Sequence, residues 1–197
     1  RNLTMQKLTR ADLYRLEDYA TARPAFRAQV LAHKRNRKVA LGAHISLLFE
    51  DRLTVQYQIQ EMLRIERIFE AAPINEELDA YNPLIPDGSN LKATMLIEFD
   101  DVERRKLELE KMLRVEDQLT ATVAGYPPVK AIADEDMDRS NETKTSAVHF
   151  LRFEFSREMI AALRAGAALH FASTHPHCLE QTEVTGETRT ALLADFD

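Results

Sequence analysis

The stretch from Asp51 to Ala72 restricts this chain most, because no Gly or Pro interrupts it until Pro73. Its first half alternates Leu53, Val55, Tyr57 and Ile59 with Thr54, Gln56, Gln58 and Gln60, as a half-buried strand would. In its second half Met62, Leu63, Ile65, Ile68 and Phe69 follow a period near 3.6, which settles the stretch as a helix with Asp51 placed to cap it. The apolar stripe is wide, so the helix should be central and pack on more than one side.

Strand and helix signals surround it without a βαβ rhythm. Thr9 is placed to cap a helix carrying Leu13, Leu16, Tyr19 and Ala20; Pro24 restarts it, and Phe26, Val30 and Leu31 continue its apolar face. Val39–Leu41 and Ala43–Phe49 read as strands around Gly42. After a short helix near Asn75–Ala80 comes an irregular loop, Tyr81–Asn90, with two prolines and an Asp-Gly turn. Strand Ala93–Phe99 follows, then a charged helix capped by Asp100 or Asp101, and a strand pair, Gln118–Ala124 with Val129–Ala133. Ala147–Phe155 carries the clearest strand pattern, Ser156–Leu163 reads as a helix, and strands Ala167–Ser173 and Leu179–Val184 precede a last helix near Glu187–Ala194. The expectation is an α+β fold in one domain. A helical N-terminal segment, about 9–38, leads into a body, about 39–197, whose mainly antiparallel or mixed sheet of about six or seven strands packs with the central helix.

Composition removes several function classes. The 5 glycines supply little material for phosphate-cradling loops, and no Walker A, Gly-x-Gly-x-x-Gly, Gly-x-Ser-x-Gly or Cys-x-x-Cys motif is present. No nucleotide cofactor is therefore expected. No apolar run approaches the roughly 18 residues of a membrane span. A single cysteine, Cys178, suits a reducing compartment, and no apolar segment follows the N-terminal charge; a cytoplasmic protein is expected, with Met5 as the natural start and Arg1–Thr4 an extension. Residues 1–50 carry 10 Lys and Arg against 4 Asp and Glu, whereas the remainder carries 16 against 28. Much of the basic excess lies in His33–Lys38, which offers Lys34, Arg35 and Arg37 as an anion site but reads more simply as cations gathered at a helix C-terminus. Nucleic acid is not expected as a partner.

Three constellations bear on chemistry. His170, His175, His177 and Cys178 are zinc or iron ligand types, although their spacing matches no standard signature and a surface turn explains the same letters. His149 shares a strand face with Ala147, Leu151, Phe153 and Phe155, so it is expected to be buried, either as a satisfied structural histidine or lining a pocket. Glu61 and Arg64 on the central helix would floor a polar pocket if that helix is enclosed, with Tyr81, Asn82 and Asp87 of the irregular loop beside them. Asp134, Asp136 and Asp138 imitate the start of a calcium loop. Arg139 and Thr145 occupy the positions where that loop needs Gly and Glu, so a hydrated acidic turn is expected instead.

The blocks Lys7-Leu8-Thr9-Arg10-Ala11-Asp12-Leu13-Tyr14, Tyr57-Gln58-Ile59-Gln60-Glu61-Met62-Leu63-Arg64-Ile65-Glu66-Arg67-Ile68 and Tyr81-Asn82-Pro83-Leu84-Ile85-Pro86-Asp87, with His149-Phe150-Leu151-Arg152-Phe153, carry a resemblance across nearly the whole chain. Together they resemble a bacterial family catalogued as domain of unknown function 3501. The resemblance brings no assigned activity. It implies a setting near rubrerythrin-like and iron-sulfur oxidoreductase proteins, and hence a redox or peroxide-stress context, which is association rather than mechanism. The His175-Pro176 pair fits the family pattern, whereas the following His177-Cys178 departs from it. The leading expectation is an accessory or binding protein beside such a redox partner, acting as a homodimer. The rival is a zinc- or iron-dependent enzyme using His149 or the His170–Cys178 cluster, with Glu61 or Glu98 as base or ligand. A third reading is anion or nucleic-acid binding through His33–Lys38.

Overall fold

Burial alternates along most of the strand segments, which is why they form sheets with one dry face each. The computed structural model describes residues 3–135 and 145–197. In chain order the elements are α1 (Leu16–Lys34), β1 (Lys38–Leu41), β2 (Ile45–Phe49), α2 (Arg52–Glu66), α3 (Ala71–Tyr81), β3 (Asn90–Ile97), α4 (Val102–Lys111), β4 (Leu119–Val123), β5 (Val129–Lys130), β6 (Ile132–Ala133), β7 (Val148–Glu154), α5 (Arg157–Arg164), β8 (Leu169–His175), β9 (Cys178–Val184) and α6 (Gly186–Leu193). The fold is α+β, with a helical N-terminal segment and antiparallel sheets.

Among the described residues the strands form two sheets, β1-β2-β3-β7-β6 and β5-β4-β8-β9, rather than one sheet of six or seven. The segment Val129–Ala133 causes the difference. Val129 and Lys130 pair with β4, while Ile132 and Ala133 pair with β7, so the chain crosses from one sheet to the other at Ala131, whose N–H donates to Leu119 O at 2.9 Å. The sheets bury their inner faces against each other in one apolar cluster. At its centre the Phe171 ring lies 4.9 Å from Phe49 and 5.1 Å from Phe153, centroid to centroid. At the far edge Thr182 Oγ1 donates to Ala40 O at 2.6 Å, bringing β9 against β1.

The helix expected at the centre is central to a helical layer rather than to the sheet core. Leu53 and Tyr57 of α2 pack on Tyr19, Phe26 and Val30 of α1; Val55, Ile59 and Leu63 pack on Leu78 and Ile85. Asp51 caps α2 as expected, its side chain accepting from Thr54 N at 3.1 Å. The helix stops at Glu66, earlier than its periodicity suggests, because Arg67 turns left-handed (φ 54°) and Ile68 N–H reaches back to Leu63 O at 2.9 Å. That closure keeps Ile68 against Leu63 while freeing Phe69 from the helix. Thr9 closes only a 3-10 turn over Arg10–Asp12, and Pro24 lies inside the continuous α1 instead of restarting a helix. No helix among the described residues is long and apolar enough to cross a membrane.

Candidate functional site

Between α3 and the outer face of the first sheet lies a cleft of about 510 Å3, within the size range of small-molecule sites. Its apolar wall comes from Met62 on α2, Tyr81 at the end of α3, Pro83 and Leu84 just after it, and Phe150 on β7. Its floor carries two cations, because Lys92 on β3 stands directly opposite Arg152 on β7 in the ladder. Both side chains point away from the dry interface, since their strand neighbours Leu91, Ala93, Leu151 and Phe153 fill the core.

Carboxylates of the chain already meet these cations. Lys92, only 8% exposed, donates to Pro83 O at 2.5 Å and pairs with Asp87 at 2.8 Å. Arg152 grips Glu135 through two nitrogens, at 3.0 and 2.7 Å, and reaches Glu154 at 2.5 Å. Asn90 joins the two groups by donating to Asp87 at 3.0 Å and to Glu154 at 2.8 Å. Burial works against the Asp87 charge, yet the bonds from Lys92, Asn90 and Lys7 hold its carboxyl well below the ordinary range. Arg152 likewise lowers Glu135. Glu77, on the α3 side of the cleft, moves upward because it is partly buried and faces Glu66 and Glu76.

Beneath the cleft, on the dry side of β7, His149 is fully buried. Its Nδ1 lies 2.6 Å from Asp134 Oδ2, and its Nε2 lies 2.9 Å from Ser146 O and 2.7 Å from Thr145 Oγ1. Each ring nitrogen thus has a hydrogen-bond partner inside the fold. Thr145 Oγ1 donates in turn to Glu116 at 2.9 Å, so a chain of hydrogen bonds runs from Asp134 through His149 and Thr145 to the buried Glu116. Asp134 belongs to both places: it lines the cleft, holds His149, and accepts Phe150 N–H at 2.8 Å. A solvated acidic turn was the expectation there, but the Asp134 side chain is 8% exposed. Asp136, Asp138 and Arg139 of the calcium-like pattern lie outside the described residues.

The six pocket candidates do not converge. Tyr81 lines the cleft, Asp87 reaches it through Lys92, and His149 touches it only through Asp134. Asn82 instead clasps the Leu8 backbone, accepting its N–H at 2.8 Å and donating to its carbonyl at 2.9 Å. Glu61 sits at the seam of α1 and α2, held by Arg23 at 2.7 Å and Tyr19 at 2.8 Å, and Arg64 is exposed. A wide apolar stripe signalled burial of α2 but not which polar groups the neighbouring helix would cover.

The His170–Cys178 cluster does not assemble as a metal centre either. His170 and His175 lie on one strand an odd number of residues apart and so point to opposite faces. His175 Nε2 donates to Leu113 O at 2.9 Å while its Nδ1 accepts His177 N–H at 3.1 Å, which commits both ring nitrogens. Cys178 faces His175 across the β8–β9 ladder, and burial raises its thiol pKa. Among the described residues no group of three or more His, Cys, Asp or Glu side chains is placed to hold a metal ion.

The anion candidates separate as well. Arg37 is 2% exposed and donates to Phe49 O at 2.8 Å, pairs with Asp195 and lies 3.5 Å from Asp51, so it is a buried joint between β2, α2 and α6. Lys34 covers the Tyr57 ring at 5.3 Å, and Arg35 is exposed. Arg37 and Lys34 are thus engaged in packing at the end of α1, whereas Arg35 stands exposed.

Sequence reasoning passed over Lys92, Arg152, Asp134 and Glu116 as site residues. For Lys92 and Arg152 a signal existed: each is a cation beside apolar neighbours in a strand, a position that requires a partner across the sheet.

A crystal structure of a novel protein of unknown function from Burkholderia pseudomallei K96243, at 1.90 Å resolution, is 47% identical to this chain. It superposes with a TM-score of 0.92, the match covering 98% of this chain and 100% of that one. No curated protein matches. The sequence profile of one family, described as "Protein of unknown function (DUF3501)", matches residues 7–196, and this chain belongs to that family.

Proposed function

We propose that this chain is an accessory binding protein whose cleft between α3 and β7 receives an apolar group of a partner, the partner being a rubrerythrin-like or iron-sulfur redox protein of the cytoplasm. The observation that carries the binding part is the neutralised floor of the cleft. Lys92 and Arg152 are each matched by carboxylates of the same chain, and the walls are Met62, Tyr81, Pro83, Leu84 and Phe150. That floor and the apolar wall offer shape and apolar area for recognition, with the carboxylates of Glu77 and Asp79 on the α3 side. The redox setting comes from the family resemblance alone. The rival, a zinc or iron enzyme at His149 or His170–Cys178, has less support, because the ring nitrogens of His149 and His175 already serve hydrogen bonds inside the fold.

The test is affinity purification from the source organism at native expression, comparing the wild type with Leu84→Trp, which fills the cleft. A redox protein identified by mass spectrometry, with iron in the complex and loss of both in a Leu84→Trp protein of unchanged Tm, is expected. Identical co-purifying proteins from the two forms would remove the cleft from the reading. Stoichiometric zinc or iron on the isolated chain would favour the rival.

A further inference from the structure

A second concave surface, sharing no lining residue with the cleft, runs between the segment that precedes α1 and the turn joining α2 to α3. It encloses about 770 Å3. Its apolar lining includes Leu13, Tyr14, Leu63, Ile68, Phe69 and Ile74. Of these, Phe69 is 73% exposed and Tyr14 is 41% exposed. Apolar side chains this large and this exposed, grouped along one groove, mark an interaction surface rather than incidental exposure.

The charge lining the groove is opposite in sign to the net charge of the chain. Net charge overall is −6, yet the groove is lined by Arg10 and Arg15 against one carboxylate, Glu17. Two more arginines, Arg64 and Arg67, adjoin the lining residues Leu63 and Ile68 in sequence and are exposed, but the exposed Glu66 and Glu70 of the same turn offset them, so the positive excess rests on Arg10 and Arg15. Internal ion pairs use other arginines: Arg23 with Glu61, Arg37 with Asp195, Arg52 with Asp12, and Arg152 with Glu135. Among the described residues, neither Arg10 nor Arg15 has an intramolecular ion pair, so their charge is available to a partner. An apolar trough bordered by unpaired guanidinium groups fits a segment that is apolar on one side and acidic on the other.

We infer that this groove docks an acidic amphipathic helix of a partner protein, its apolar face seated on Phe69, Ile68 and Leu13 and its carboxylates meeting Arg10 and Arg15. The groove is independent of the cleft, and the inference stands whether or not the cleft engages a redox protein. Phe69 supplies the central anchor. The arginines select charge and speed the encounter.

The probe is a fluorescein-labelled synthetic helix of about 16 residues, Leu and Phe at i, i+3, i+4 and i+7 with Glu elsewhere, titrated with the full chain by fluorescence anisotropy. Saturable binding is expected, weakened about tenfold by Phe69→Ser and by Arg10→Glu with Arg15→Glu, and weakened further as salt rises from about 50 to about 300 mM. The same helix with Lys in place of Glu should bind at least about tenfold more weakly. Leu84→Trp, in the cleft, should leave the affinity unchanged. No binding, or binding indifferent to both groove variants while their circular dichroism and Tm match the wild type, would overturn the inference. Sedimentation of the chain alone gives the remaining outcome: a dimer that Phe69→Ser converts to monomer would make a second copy the occupant and would also overturn it.

Discussion

The paired sheets and the helical layer are held together in different ways. The sheets share one large apolar cluster running from Val39 to Phe196 with three phenylalanines in mutual contact at the middle. The helical layer has two smaller clusters, built on Val55, Ile59 and Leu63 and on Tyr19, Phe26 and Val30. It adds polar fastenings in which a side chain completes a backbone hydrogen-bond pair, as Gln60 does for Tyr14 and Asn82 for Leu8. Burial of area is tolerant of detail, whereas a fastening of this kind depends on one geometry. The sheets therefore form the base, and the helical layer is the part whose surfaces, cleft and groove, are set by specific polar contacts. Arg37 spans the boundary, tying the end of β2 and the start of α2 to α6 from a buried position.

The largest effect should come from the sheet side. Phe171→Ala removes the ring that touches both Phe49 and Phe153 and leaves a cavity that the two strand layers cannot close. A loss of about 3–5 kcal/mol in urea unfolding is expected. If the loss is under about 1 kcal/mol, the aromatic centre is not what joins the sheets.

A smaller, more local effect should come from Gln60→Ala. Gln60 is fully buried, accepts Tyr14 N–H at 2.7 Å and donates to Tyr14 O at 3.3 Å. Removing it strands both backbone groups, at a cost of about 1–3 kcal/mol. The comparison is sharpened by hydrogen exchange: Tyr14 should lose protection while the amides of β4 and β8 keep theirs relative to global stability. Uniform loss across the chain would mean that the helical layer and the sheets unfold as one unit with no weaker fastening.

The same contrast explains what was readable in the letters. Strand existence was legible because period-2 burial along residues such as His149, Leu151 and Phe153 is a local property. The division into two sheets was not, because Ala131 exchanges one partner strand for another without any break in residue type. The Asp51 cap was legible, but the end of α2 was not, since an arginine in the left-handed region gives no glycine signal. At the site, Tyr81 and Asp87 were found through the prolines and the Asp-Gly turn around them, while Lys92 and Arg152 meet only across the β3–β7 ladder. Glu61 was expected on the floor of a polar pocket and lies instead in the α1–α2 seam, because its partner Arg23 sits on another helix that periodicity alone does not orient.

That pair gives the smallest effect and the one that separates charge from burial. Glu61 receives three contacts from Arg23 at 2.7 to 3.2 Å and one from Tyr19 Oη at 2.8 Å. The Arg23 hydrogen bonds, chiefly, hold its carboxyl down at about 2, against an ordinary value of 4.5. In the unfolded chain the group binds a proton near 4.5, while in the folded chain it resists until about 2. The unfolded state therefore holds the extra proton between those values, and stability falls as pH falls through that window. The contribution is present in full above the unfolded value and gone below the folded one. The side chains are 29% and 15% exposed, so solvent screening reduces it to about 1–2 kcal/mol. Glu61→Gln keeps the shape and removes the charge. Urea midpoints measured at pH values of about 7, 4.5 and 2.5 should show the wild type ahead of Glu61→Gln at the first two and level with it near the last. A gap that does not change with pH would assign the α1–α2 seam to packing, and the helical layer would then be fastened as the sheets are.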